Sequence, residues 1–152
     1  MESVITAERY HDISCGHRVV GHESKCAFLH GHNYRITFSL QTVSGLDQVG
    51  RVLDFSVIKD LFCQWLEAEW DHKMLLWSRD PLVSLFCSLK DEHTDILAQS
   101  VVIVSFNPTA ENMAEHLLTE VCPALLFGCP GVLVTQVRVE ETRKCSVVAR
   151  FR

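Results

Sequence analysis

What most constrains the fold of this chain is a change of hydrophobic period within its first half. Tyr34, Ile36, Phe38 and Leu40 alternate with Arg35, Thr37, Ser39 and Gln41, a period of two that gives a strand one apolar and one polar face. After a turn at Ser44-Gly45, Asp54 offers a helix N-cap, and Phe55, Ile58, Leu61, Phe62, Trp65 and Leu66 follow at helical spacing towards Trp70. A one-faced strand and a one-striped helix leave water most simply by covering each other. The expected class is therefore α+β, with helices on one face of an antiparallel sheet.

The rest of the chain repeats both patterns. Asn107-Pro108-Thr109 opens a second helix, with Thr109 as cap, Glu111 in the first turn, and Ala110, Met113, Ala114, Leu117, Leu118 and Val121 as its stripe. Pro123 is expected to stop it. Residues 101–104 read as a short buried strand or an apolar approach to that helix. Residues 132–141 form a long strand, with Leu133, Val137 and Val139 in one phase and Gln136 and Arg138 in the other. Residues 146–151 return as its hairpin partner through Arg143-Lys144-Cys145. Residues 77–100 fit either a helix or a long loop. No repeat or linker interrupts the 152 residues, so 1–152 is read as one domain, long enough to bury roughly two-thirds of its unfolded surface.

Composition narrows the function. With 47% hydrophobic and 22% charged residues the chain is neither disordered nor of low complexity. Its 14 Lys+Arg against 19 Asp+Glu give a net charge of −5, which provides no general footprint for nucleic acid or an anionic membrane. An anionic ligand would need locally placed cations. No run approaches the ~18 apolar residues of a membrane span, and Met1-Glu2-Ser3-Val4 does not open a signal peptide. The seven cysteines include no CxxC pair, which argues for free thiols and a cytoplasmic protein rather than a secreted disulfide framework.

The chemistry concentrates around three of the eight histidines, His17, His30 and His32. Residues two apart on a strand share a face, so His30 and His32 can reach one ion, and Gly31 between them permits close approach. His17 lies far enough upstream to return on a neighbouring strand. Three imidazoles with a vacant fourth position suit a catalytic zinc site; the bland alternative is a set of partly exposed strand histidines. Cys26 can be a fourth ligand, a thiolate base or an inert thiol. Asp71-His72 is an acid beside an imidazole, and Glu141 continues the buried phase of its strand, where an unpaired carboxylate is costly. His116 falls on the polar side of its helix and is expected to be solvated, while His11, His22 and His93 receive no role.

Together these residues resemble the 6-pyruvoyl-tetrahydropterin synthase / 6-carboxy-tetrahydropterin synthase family of tunnelling-fold pterin enzymes. The likeness is carried by His17, by Cys26-x-x-x-His30-Gly31-His32-Asn33-Tyr34, by Asp54-Phe55-Ser56, by Asp71-His72, by Pro108-Thr109-Ala110-Glu111-Asn112 and by Glu141-Thr142, in family order along nearly the whole chain. Ile13-Ser14-Cys15-Gly16-His17 departs from the family's aromatic-x-Ala-Ala-His approach and puts a second thiol, Cys15, near the ligands. Lys73-Met74-Leu75-Leu76 replaces the usual Leu-Asn continuation.

The resemblance implies a tunnelling fold: an antiparallel four-stranded sheet with two helices on one face, oligomerising into a barrel as a homo-trimer or hexamer with sites between subunits. It implies Zn2+ held by His17, His30 and His32, Cys26 as general base, Asp71 and His72 as a proton relay, and Glu141, Thr109 and Glu111 as pterin contacts. The implied substrate is 7,8-dihydroneopterin triphosphate, with no organic cofactor and neither nucleic acid nor membrane as partner. The three-residue gap between Cys26 and His30 resembles the 6-carboxy members. It implies a lyase making 6-carboxy-5,6,7,8-tetrahydropterin, acetaldehyde and triphosphate on the queuosine (7-deazaguanine) route. The alternatives are a 6-pyruvoyl-tetrahydropterin synthase of the biopterin route and an inactive zinc- and pterin-binding homologue. Arg18, Lys25 and Lys73 are the nearest cations in sequence for the triphosphate.

Overall fold

In the computed structural model, which describes residues 1–89 and 99–152, a six-stranded sheet is ordered β4-β3-β1-β2-β5-β6. The strands are β1 (Ala7–His17), β2 (His30–Thr42), β3 (Met74–Trp77), β4 (Val101–Val104), β5 (Val132–Thr142) and β6 (Cys145–Arg150). β1, β2, β5 and β6 pair antiparallel, while β3 runs parallel to both β1 and β4. The sheet therefore has six strands rather than the four expected. The two extra strands, β3 and β4, are four residues long, too short for alternation to announce them. Residues 101–104 take the strand alternative.

Three helices occur among the described residues, rather than two. α1 runs through Phe55–Ile58, a π turn Lys59–Cys63 and Gln64–Glu69. α2 is Leu82–Ser88, which resolves part of the ambiguous stretch as helix; Asp91, Glu92 and His93 lie outside the described residues. α3 runs through Ala110–His116, a π turn Leu117–Val121 and Cys122–Leu125. Asp54 caps α1 by accepting from the Ser56 backbone N–H at 2.8 Å, and Thr109 caps α3 by accepting from the Asn112 N–H at 3.2 Å. Pro123 does not stop α3. It occupies the first turn of the segment after the π turn, where the missing N–H is tolerated.

α1 and α3 cover the same sheet face. Ile58, Phe62 and Leu66 of α1, with Trp70, are buried against Ile13, Tyr34, Ile36 and Phe38, and the whole predicted α3 stripe is buried with them. Four-residue steps drift by about 40° per turn on an α-helix; the wider π turn in α1 absorbs this drift and keeps the apolar stripe aimed at the sheet. Phe55, placed on the stripe from its spacing, is instead exposed at the first helical position. His116 is not solvated. Its ring lies 4.9 Å from Phe106 and 6.3 Å from Trp70, and this burial lowers its pKa.

β5 carries two irregularities that sequence alternation does not show. The register with β2 shifts between Ser39 and Leu40, so Val134 and Val137 are both buried while Leu133 is exposed, against expectation. The register with β6 shifts between Glu140 and Thr142, leaving Glu141 as the unpaired residue of a bulge. Bulges re-aim side chains at strand ends, and both matter for what lies next to them.

Candidate functional site

Strand register alone assembles the histidines. His17 on β1 is directly opposite His30 on β2, and His32 is opposite Cys15. All of these side chains belong to the phase that faces the core. The Gly16–Gly31 pair falls between them on the other face, and a Cβ on Gly31 would come within 3.1 Å of the Cys15 carbonyl oxygen. The ring centroids are 4.5 Å apart for His17 and His30, 5.1 Å for His17 and His32, and 4.8 Å for His30 and His32.

Backbone carbonyls set the tautomers. His17 Nδ1 donates to the Pro108 carbonyl at 2.6 Å, and His30 Nδ1 donates to the Phe28 carbonyl at 2.6 Å. Each Nε2 is then a lone pair, and the two face each other across 3.0 Å, an arrangement that repels unless a cation or proton lies between them. Two imidazole nitrogens about 2.05 Å from a tetrahedral zinc would be about 3.3 Å apart. The third ring points the same way. His32 Nε2 is buried without a hydrogen-bond partner; Glu141 Oε1 is 3.3 Å away but does not lie where an N–H···O bond would form. All three ligand atoms lie within 4.8 Å of one another. Paired acceptors, an orphaned ring nitrogen and carbonyls holding the far side of two rings fit a borderline-soft divalent cation. Burial pushes the pKa of His17 and His32 down, keeping both neutral, the form a metal needs.

A cavity of about 670 Å³ opens beside the triad, lined by His17, Cys26, Thr109, Glu111 and Glu141 among others. Five sequence-predicted residues thus converge on one space. Cys26 sits in a short 3-10 turn, Lys25–Ala27, whose position is held by the Val19 N–H donating to the Cys26 carbonyl at 2.7 Å. Glu141 is aimed inward by its bulge. Thr109 contributes while its hydroxyl caps α3, and Glu111 follows in the first turn.

Asp71 and His72 are elsewhere. Asp71 Oδ1 accepts from the Ser14 N–H at 2.8 Å, and Asp71 Oδ2 lies 2.8 Å from His72 Nδ1, so the predicted acid–imidazole pair exists. His72 holds a positive φ of 59° and an exposed ring. It lines a second groove of about 490 Å³ with Ser14, Gly16, Gly31 and Asn33 of the opposite strand phase and with Cys15 and His32, but without Cys26. Within one chain the pair does not reach Cys26.

Three contributors escaped the sequence reading. Tyr34 is buried with its hydroxyl 3.2 Å from His17 Nε2, and burial, reinforced by Glu141 and by the Cys15 and Cys26 thiols, raises its pKa. Its place two residues beyond His32 in one strand phase was the available signal. Asn107 clasps Val20 through two backbone bonds of 3.0 and 2.9 Å, docking the end of β1 onto the start of α3. Asp80, buried, accepts from Arg18 Nε at 2.6 Å and from Nη2 at 2.5 Å, so Arg18 is a structural partner and not a free cation. Lys73 Nζ donates to the Gln99 carbonyl at 2.5 Å. Burial, with the Asp71 charge, pushes the Cys15 thiol up to about 12, which leaves it a neutral neighbour of the ligands.

This is an α+β protein with a three-imidazole pocket at the end of its central strand pair. The sequence profile of the family described as 6-pyruvoyl tetrahydropterin synthase matches residues 6–151, and the chain belongs to that family. It is 34% identical over 144 residues to the 6-carboxy-5,6,7,8-tetrahydropterin synthase of Rickettsia typhi, covering 95% of this chain and 99% of that one. It is 35% identical over 123 residues to a probable 6-carboxy-5,6,7,8-tetrahydropterin synthase of Halobacterium salinarum, covering 81% and 73%. Among solved structures, an uncharacterized protein from Wolinella succinogenes superposes with a TM-score of 0.85 at 22% identity, covering 99% of this chain and 100% of that one. The 6-pyruvoyl tetrahydropterin synthase of Caenorhabditis elegans gives 0.65 at 20%, covering 99% and 97%. Among the described residues no helix is long and apolar enough to cross a membrane.

Proposed function

We propose that the protein is a zinc-dependent lyase that converts 7,8-dihydroneopterin triphosphate and water to 6-carboxy-5,6,7,8-tetrahydropterin, acetaldehyde and triphosphate, in the cytoplasm and on the queuosine route. The observation that carries this reading is a cluster of three imidazole nitrogens beside a cavity that one of them, His17, lines together with a thiol and a bulge-aimed carboxylate. The names of the curated relatives support the 6-carboxy product.

Each residue then has a physical task. His17, His30 and His32 would hold Zn2+, which supplies Lewis-acid polarisation of the substrate's side-chain hydroxyls. Pro108 and Phe28 carbonyls keep two of the rings oriented. The Glu141 carboxylate accepts hydrogen bonds from the pterin's amino and ring N–H groups, with Thr109 and Glu111 beside it, and so fixes which side-chain carbon faces Cys26. Cys26 takes a proton from that carbon as general base. The Asp71–His72 pair would complete the proton transfer from a second copy of the chain, because in its own copy His72 opens on a groove that Cys26 does not line. The reading thus requires a homo-oligomer, trimer or hexamer, with sites between subunits.

A second reading, elimination of triphosphate to 6-pyruvoyl-tetrahydropterin, is supported by the description of the family profile. Incubation of zinc-loaded protein with 7,8-dihydroneopterin triphosphate, with mass analysis of the pterin and parallel trapping of acetaldehyde, separates the two. A 6-carboxy product with acetaldehyde supports the first, a 6-pyruvoyl product the second, and bound pterin with no turnover rejects both.

A further inference from the structure

If the substrate carries a triphosphate, its charge must be met inside a cavity that already contains two carboxylates, Glu111 and Glu141. The net charge of −5 offers no background attraction, so the cation has to be local. The cations nearest in sequence do not serve. Arg18 is held by buried Asp80, Lys73 donates to the Gln99 carbonyl, and Lys25, though adjacent to Cys26, does not line the cavity. Elsewhere Arg35 is paired with Asp12, and Arg51 with Asp47 and Asp54.

Among the described residues, Lys144 is the one Lys or Arg that lines this cavity, and no ion pair to its ammonium is formed. It stands at the tip of the β5–β6 hairpin, where its backbone N–H donates to the Thr142 hydroxyl at 3.2 Å. The Glu141 bulge immediately precedes that tip. One short segment therefore presents a carboxylate to the interior and an ammonium at the rim. His22, given no role from sequence, lines the same cavity. Its Nδ1 accepts from the Ser24 N–H at 2.9 Å, so a neutral ring carries its proton on Nε2 and is a donor there.

We propose that Lys144, with His22, forms a polyphosphate subsite at the rim of the cavity and selects the triphosphorylated substrate over its dephosphorylated form. The proposal rests on the pterin reading for the identity of the substrate, but the subsite can be tested without the pterin. The wild type, Lys144→Ala, Lys144→Arg and, as control, Lys25→Ala proteins would be titrated with inorganic tripolyphosphate, with 7,8-dihydroneopterin and with its triphosphate, at low and high salt. The expectation is a loss of about tenfold in affinity for tripolyphosphate and for the triphosphate ester in Lys144→Ala, of the size of one charge-assisted contact. Lys144→Arg should restore most of it, high salt should shrink the difference, and dihydroneopterin affinity should change by less than about twofold. Equal triphosphate affinity in wild type and Lys144→Ala overturns the subsite, as does a loss shared equally by dihydroneopterin. Lys144-dependent binding of tripolyphosphate by a protein that ignores both pterins leaves the subsite standing and removes the pterin reading.

Discussion

Replacing His30 by alanine tests the metal reading through a sign rather than a size. In the metal-free protein two lone pairs, on His17 Nε2 and His30 Nε2, face each other across 3.0 Å. Removing one ring relieves that repulsion and forfeits the bond from His30 Nδ1 to the Phe28 carbonyl, worth about 0.5–1.5 kcal/mol. The two effects oppose, so metal-free His30→Ala should lie within about 1 kcal/mol of the metal-free wild type. The metal-loaded wild type is different. A ligand at 1,000 times its dissociation constant stabilises the folded state by about 4 kcal/mol, which for a chain of this length is about 8–16 °C in melting temperature. Thermal melts of wild type and variant, each with added zinc and with chelator, plus zinc content by elemental analysis, read both quantities. A large zinc-dependent shift in the wild type and almost none in the variant is the expected result. Full zinc occupancy in His30→Ala, or a wild-type melt that ignores the chelator, would refute the ligand assignment. A metal-free variant several kcal/mol below the metal-free wild type would show that the two nitrogens do not repel and that the tautomers are assigned wrongly.

Other consequences follow from named contacts. Cys26→Ala should keep its zinc and bind dihydroneopterin normally while kcat falls by about a hundredfold or more, the usual weight of a general base; steady-state turnover beside zinc analysis checks this. Asp80→Ala leaves the partly exposed Arg18 guanidinium without its partner and removes the acceptor of the Leu82 N–H, and denaturant unfolding should show a loss of about 1–2 kcal/mol. Burial lowers the His116 pKa in the folded state, so the unfolded chain binds the proton first as pH falls below about 6.5. Stability should therefore decline from neutral pH downwards until the folded pKa is reached. His116→Leu should flatten that slope in denaturant melts at pH 7.5 and 5.5, and an unchanged slope would show that His116 is not responsible.

Much of the site was legible before any coordinates. His30 and His32 had to share a face because a strand has period two, and His17 could join them once β1 returned antiparallel. Thr109 and Asp54 were readable as caps because capping chemistry is local. β3 was not readable, because four residues cannot display a period, and β4, which fitted either a strand or an apolar approach to its helix, was decided by parallel pairing with distant chain. Leu133 was misassigned for a related reason: a bulge changes the phase of a strand without changing its composition. His116 looked solvated beside Glu115 and Glu120, yet its ring lies between Trp70 and Phe106, which reach it from other parts of the chain.

The sequence by itself determined the class of the fold, the two amphipathic helices, the strand through Tyr34 and Leu40, the closing hairpin of β5 and β6, and the residue types available to one pocket. All of these follow from interactions within a few positions, or from a periodicity that must match a buried face. Only the tertiary structure decided which phase of β5 faces inward, that Arg18 is held by Asp80, that His72 opens on a groove Cys26 does not line, and that Lys144 stands at the cavity rim. Those outcomes depend on register, bulges and the docking of loops far apart in the chain. There the deciding energies are contacts between residues that no local pattern connects.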